Sequence, residues 1–438
     1  MAYTKTTTTS YGSRLGSSFK AIFAGIILFI AATILLFWNE GRAVRQYDNI
    51  KATQKACMHV DNVSKLDGDL ENQCIHATAE VKTNDILTDG TFGISVNAIE
   101  LKRDVEYFQY VEHTSSETKD KVGGSQETTT TYTYEKDWVD EPIESSEFED
   151  PSYKRVNSTF YTLDDMTEVA QNATFGAYKL SSGLISSISG STETALNPNL
   201  KDLEELDHEI ARLKGGYSTA ISGSLDKLAE KVDKLLADND SVAADVEDEE
   251  PADNTIDLTY VHVHGNVIYI GRNETSPEIG DVRITYTQVN PGTFSVIGKV
   301  VNGEIQSNKT DDGAFSMIKR GNVAMEDMFK AAEESNNMWT WILRILGIIL
   351  VYAGLKSMFG FFITVLKVLP FLSNIADVAG SIVCGIFALV WSFLIIAIAW
   401  LIYHPLIALC ILVPVGAGIF FLVKMSKDKK KAAAAVAE

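Results

Sequence analysis

FKAIFAGIILFIAATILLFW, residues 19–38, holds one charge, Lys20, close to its start. A helix of that length, at 1.5 Å per residue, covers the roughly 30 Å hydrocarbon core of a bilayer. Basic residues precede it, as they would in a secretory leader. Its far end, Phe37-Trp38-Asn39-Glu40, offers no small-x-small cleavage site, and Trp38 suits the lipid–water boundary. The stretch therefore reads as a retained membrane anchor.

Three more apolar runs follow near the other end, at 341–366, 378–403 and 405–423. The fold class that results is an α+β membrane protein. Four transmembrane helices, one N-terminal and three C-terminal, surround a large β-rich domain with a helical insertion. Residues 1–18 form an N-terminal tail, 39–338 the domain, and 424–438 a basic tail. The segment 339–369 holds the second span.

Charge sets the expected orientation. Residues 1–38 carry Lys5, Arg14 and Lys20 and no acid, and the last tail carries five lysines from Lys424 onward. Both ends are expected in the cytoplasm, which requires an even number of crossings. Residues 39–338 then lie on the opposite side. They hold 27 basic and 55 acidic residues, a net charge of −28, against +8 for the rest of the chain. So acidic a domain repels phosphate backbones, and nucleic acid is not expected as a partner.

Lys356 falls near the middle of the second span, at a cost of about 2–3 kcal/mol in lipid. Either the span is short and residues 358–369 form an interfacial helix, or the lysine faces protein or water; the first reading is preferred. His404-Pro405 separates the last two spans and reads as the turn of a tight helical hairpin.

Within the domain, residues 104–113 and 131–138 alternate and are rich in aromatics, so they read as a hairpin with a long polar tip at 114–130. Residues 258–271, 281–288, 294–301 and 314–319 read as further strands, and 325–336 as a helix feeding the second span. Leu203, Leu206, Ile210 and Leu213 recur at helical spacing, as do Leu225, Leu228, Val232 and Leu235. An acidic linker, 237–254, with eight acids and no base, follows this helical insertion (200–254).

Cys57 and Cys74 lie on the expected outer side, where a disulfide is permitted; the sequence leaves the pairing open. Six N-glycosylation sequons begin at Asn62, Asn157, Asn172, Asn239, Asn273 and Asn308, all in the domain. His262 and His264 alternate on an expected strand, so both side chains face one way. No third ligand is evident, and no metal site or cofactor is expected. No nucleophile elbow, zinc-peptidase helix, P-loop or dinucleotide fingerprint is present, and no enzyme is expected.

Trp38, Asn39, Glu40, Gly41 and Arg42 stand where the chain leaves the first span. Glu40 and Arg42 are expected to pair there, and Gly41 to allow a sharp turn that holds the domain against the bilayer. This segment, FWNEGRAV at 37–44, resembles the signature of the transmembrane protein 43 (LUMA) family. The likeness continues in VEYFQYVE at 105–112, YTYEKDW at 132–138, SSGLI at 181–185, PEIGDVR at 277–283 and WLIYHPL at 400–406. The N-terminal TSYGSRLGSSFK, 9–20, is similar to bacterial members.

The resemblance implies a membrane organiser. Animal members reside in the endoplasmic reticulum and inner nuclear membrane, oligomerise, and associate with emerin and lamins. For a bacterial member it implies the cytoplasmic membrane with a periplasmic domain. The leading expectation is a multi-pass scaffold that forms a homo-oligomer and engages membrane lipids and other membrane proteins. Gly380, Gly385, Ala388, Gly416, Ala417 and Gly418 permit close helix packing, between copies or within one chain. A transporter or channel subunit would use Lys356, Asn374 and Asp377. A lipid-handling protein would use His262 and His264.

Overall fold

The computed structural model describes residues 2–214, 255–366 and 370–403. Its first helix, α1 (Tyr11–Ala56), is 46 residues long and outruns the apolar stretch at both ends. Ser10 caps it, its hydroxyl accepting from the Ser13 amide at 3.3 Å. No turn occurs at Gly41; the helix continues until Cys57, where extended strand begins. Two short helices, α2 (Ser182–Ile185) and α3 (Leu200–Leu213), belong to the domain. The long helix α4 (Met325–Leu366) joins the expected helix at 325–336 to the second apolar run, and α5 (Pro370–Tyr403) carries the third.

α4 runs unbroken past Lys356. The Lys356 ammonium lies 5.7 Å from the centre of the Tyr352 ring, one turn back. Were the charge placed in hydrocarbon, that cation–π contact would offset part of the cost. Among the described residues three helices are long and apolar enough to cross a membrane. The fourth run at 405–423, with His404, Pro405, Gly416, Ala417 and Gly418, lies outside the described residues, as do the second half of the helical insertion and the acidic linker.

α1 and α4 run antiparallel for nearly their whole length. Lys51 meets Glu333 at 2.5 Å at the domain end, and Ser18 meets Thr364 at 2.9 Å at the other. Their backbones come close at Gly25 and Gly354. A β-carbon on Gly25 would fall 2.8 Å from the Gly354 carbonyl oxygen, and one on Gly354 would fall 2.9 Å from the Phe29 amide nitrogen. Glycine is therefore required on both sides. α5 packs across the pair through Ala388 and Cys384, against Ala32, Leu36 and Val351. A β-carbon on Gly380 would fall 2.7 Å from the Ile363 side chain, whereas one on Gly385 would come only to 4.0 Å from Tyr352. Ala388 and Gly380 thus pack within the chain.

The domain holds two large sheets. The nine-stranded sheet is built on the hairpin of Glu100–Asp120 and Gln126–Val139. Val282–Val289, Val267–Ile270, Val261–His264 and Ile256–Asp257 follow in order from its first arm. In the seven-stranded sheet, Cys74–Thr83 pairs with both Ala173–Phe175 and Gly292–Val301. Tyr178–Leu180 and Glu304–Gln306 complete the circuit, closing five strands into a ring around Val81, Phe175, Phe294, Val296 and Ile305. Closure leaves those strands without an open edge. α3 lays Leu203 and Ile210 on the core of the nine-stranded sheet, with Val261, Val263 and Ile284.

Two expectations change here. Residues 114–130 are not a loose tip: they are strand, and the turn is confined to 121–125, where Gly123 (φ +88°) and Gly124 (φ +80°) take the left-handed backbone. Threonines 128–131 suit extended chain because they are β-branched, whatever their polarity. The N-terminal tail is also strand. Tyr3–Thr9 pairs with the second arm of the hairpin, from Tyr3 opposite Tyr132 to Thr9 opposite Gln126. Lys5 reaches Glu149 at 2.8 Å, and Arg14 bonds Asp120 (2.8 Å) and the Gly124 carbonyl (2.6 Å) at the hairpin tip. The tail expected across the membrane from the domain is thus tied to a hairpin rooted in that domain.

Candidate functional site, a polar clasp between two membrane helices

The residues that leave the first span do not end a helix; they lock two helices together. Asn39 is fully buried and Glu40 almost so. The Asn39 amide donates to the Thr340 carbonyl at 3.0 Å. Arg42 donates to the Asn336 side-chain oxygen at 3.1 Å and to the Thr340 hydroxyl at 3.0 Å. Asn336 returns a bond to the Ala43 carbonyl at 2.9 Å. One turn nearer the lipid, Arg344 clamps both Glu40 oxygens at 2.7 Å each, and its guanidinium lies 5.0 Å from the Trp341 ring centre.

Glu40 and Arg42 were expected to pair with each other. Two residues apart on a helix they do not face each other, and each reaches a partner on α4, Arg344 for Glu40 and Asn336 with Thr340 for Arg42. Gly41 is needed for closeness rather than for a turn: a β-carbon there would overlap the Tyr403 ring of α5 at 2.4 Å. Trp38, Trp339 and Trp341 stay half exposed around the clasp, as a belt at the lipid–water boundary would. Asn336 and Thr340 escaped the sequence reading. Their signal was present, since Asn336, Thr340 and Arg344 recur every four residues and form one polar stripe on α4.

Below the clasp the same two helices enter the domain. Asn49 accepts from the Thr310 hydroxyl at 2.7 Å, and Thr53 accepts from the Asn308 amide at 3.1 Å. Ile50, Met328 and Phe329 pack beside them on Cys74, Ile297 and Phe315. Asn308, one of the sequon asparagines, is therefore committed to the interior. Asn157 is also engaged, bonding the Tyr110 amide and carbonyl.

The other sequence candidates are placed as follows. His262 bonds Asp257 (3.0 Å) and the Gly271 carbonyl (3.1 Å), while His264 bonds Glu274 (2.8 Å) and Asp257 (3.3 Å). The carboxylates raise the His264 pKa, first through the Glu274 hydrogen bond. Among the described residues, no three His, Cys, Asp or Glu side chains surround a common point. Cys57 and Cys74 are free thiols facing each other across parallel strands. A cavity of about 300 Å³ opens beside Lys214, Tyr260 and Arg272. Lys214 is already held there by buried Asp281 at 2.8 Å, between the Phe160 and Tyr260 rings.

The sequence model of the family described as Transmembrane protein 43 matches residues 107–405. Transmembrane protein 43 of Rattus norvegicus is 24% identical over 404 residues, covering 90% of this chain and 87% of its own. That of Homo sapiens is 24% identical over 409 residues, covering 91% and 88%. The Transmembrane protein 43 homolog of Drosophila melanogaster is 22% identical over 413 residues, covering 92% and 94%. No solved structure matches the chain. The family match spans more than half of the chain, and its apolar helices are laid side by side and bound to the domain: the chain belongs to the transmembrane protein 43 family and is an integral membrane protein.

Proposed function

We propose that the chain is a membrane scaffold that self-associates and organises or stabilises protein complexes at the bilayer. The observation that carries this reading is the clasp. Its charged and amide groups are engaged with one another, so it holds geometry and presents no free acid, base or nucleophile. A rigid joint between a large domain and its membrane helices suits a protein that positions partners. The faces left to meet lipid or another membrane protein are the exposed apolar ones, Phe23, Ile27, Ile30 and Ile34 on α1 and Ile382, Ile386 and Phe393 on α5. Native mass spectrometry on complexes extracted gently from the host membrane tests the reading. A defined homo-oligomer or a reproducible protein partner is expected. A bare monomer carrying a stoichiometric lipid would overturn it in favour of lipid handling.

In this reading the domain lies outside the cytoplasm, in the periplasm of a bacterial host, as the contrast of −28 against +8 supports. The N-terminal ladder must then open when α1 is inserted. A polar three-stranded ribbon leaves edge N–H and C=O groups that hydrocarbon cannot satisfy. Cysteines replacing Thr6 and Thr129, whose hydroxyls lie 3.4 Å apart, test this directly. Cross-linking is expected in detergent-solubilised protein and not in intact membranes. Efficient cross-linking in membranes would place tail and domain on one side.

A further inference from the structure

His59 and His76 stand opposite each other on parallel strands, Cys57–His59 and Cys74–Thr83. The first strand begins where α1 ends, and the second lies inside the seven-stranded sheet. The two Nδ1 atoms are 2.9 Å apart. His76 Nε2 lies 3.0 Å from the carbonyl of Val323, just ahead of α4. His59 Nε2 lies 3.1 Å from Asp61 Oδ1. One line of hydrogen bonds thus ties the exit of α1 and the approach to α4 to the same strand of the domain.

The partners fix where the protons lie. A carbonyl only accepts, so His76 Nε2 carries a proton. His76 is 2% exposed, and burial favours the neutral imidazole, whose Nδ1 is then a bare lone pair. His59 therefore donates from its own Nδ1. The bond survives protonation of His59, because its second N–H then meets the Asp61 carboxylate. It does not survive protonation of His76, which would aim two N–H groups of two cations at each other. Glu326, in the first turn of α4, is the acid acting on His76 from that side. On the neighbouring strand Gly292–Val301, Ile297 stands opposite His76 and Lys299 opposite Cys74. The Cys57 and Cys74 thiols complete the titratable surroundings.

We propose that the His59–His76 pair is an acid-released latch that fastens the ends of the two long membrane helices to the domain. Burial holds the His76 pKa below its ordinary value, with His59 adding to it and the Val323 bond and Glu326 opposing it. The unlatched chain therefore binds a proton that the latched one refuses. The latch is at full strength above about pH 6.5 and is lost as pH falls through the lower value of the latched state. Opening frees the Val60 amide from the His76 carbonyl, a bond of 2.8 Å, and releases the short strand from the sheet edge. It stops there, because Asn49 and Thr53 hold α1 to Thr310 and Asn308 through groups that do not titrate.

Hydrogen–deuterium exchange of the full-length chain in detergent, compared at about pH 7.5 and about pH 5.5, tests this once rates are corrected for intrinsic exchange. Amides 58–61 are expected to lose about tenfold or more of their protection at the lower pH, while the nine-stranded sheet keeps its own. His59→Gln, at a side chain 53% exposed, should leave folding intact. Its amide can donate to neutral His76 or accept from protonated His76, so the acid-dependent loss should vanish. His76→Gln keeps a donor for Val323 without a titrating group and should also be indifferent to pH. Unchanged protection of 58–61 in acid, an equal loss in His59→Gln, or a loss spread evenly over the domain would each overturn the proposal.

Discussion

Arg344→Ala is expected to destabilise the detergent-solubilised chain by about 3–5 kcal/mol, the cost of stranding one half of a buried ion pair. The Glu40 side chain is only 3% exposed, whereas that of Arg344 is 21% exposed. Truncating the arginine therefore leaves a carboxylate with no route to water. Glu40→Ala should cost less, because Arg344 can extend toward the boundary and keep its contact with Trp341. Replacing both residues together, Glu40→Leu with Arg344→Met, should recover most of the loss, since apolar groups of similar volume often replace such pairs at little cost. Thermal or denaturant unfolding of the three variants gives the cycle. Equal losses for the two single variants would show that Arg344 gains nothing from the boundary.

The second large effect lies in the domain core. Asp89 accepts from Tyr286 (2.6 Å), from the Thr91 amide (2.8 Å) and from Arg103 (2.5 Å), and both Asp89 and Arg103 are buried. Asp89→Ala leaves that guanidinium without its carboxylate and should cost about 3–5 kcal/mol. Burial raises the Asp89 pKa, but the bonds from Tyr286, Thr91 and Arg103 outweigh it and hold the carboxyl below its ordinary value. A depressed folded-state pKa gives stability that is present above the unfolded value and lost as pH falls through the folded one. Wild type should therefore lose this contribution below about pH 4. The stability of Asp89→Ala should fall less steeply there, as unfolding midpoints measured between neutral and acid pH would show.

What could be read in the chain and what could not follows from the range of the interactions. An apolar run such as 19–38 declares a helix locally, and alternation such as 104–113 declares a strand locally. The clasp is a relation between residues some three hundred positions apart, and Glu40 in isolation fits an exit motif as well as it fits Arg344. Residues 39–56 look like the start of a domain because they are polar. They remain helix because Asn39, Arg42, Asn49 and Thr53 each find a distant partner, a backbone carbonyl for Asn39 and side chains for the other three. The Ser- and Thr-rich stretch at 114–130 reads as a polar tip because polarity is a weak guide to backbone conformation; pairing of its two arms with each other, and of the second with Tyr3–Thr9, keeps it extended.

The strand at Tyr3–Thr9 also sets an order of events during synthesis. It leaves the ribosome over a hundred residues before its partner, Gln126–Val139. Machinery that takes up residues 19–38 as they emerge would leave the strand hydrated and unpaired on the near side. A chain released before delivery would zip the strand onto the hairpin first, with Arg14 pinned at the tip. On the orientation proposed above, these seven hydroxyl-rich residues would separate co-translational from post-translational delivery. The late route would store a clipped form, whose first helix has to be released before lipid can receive it.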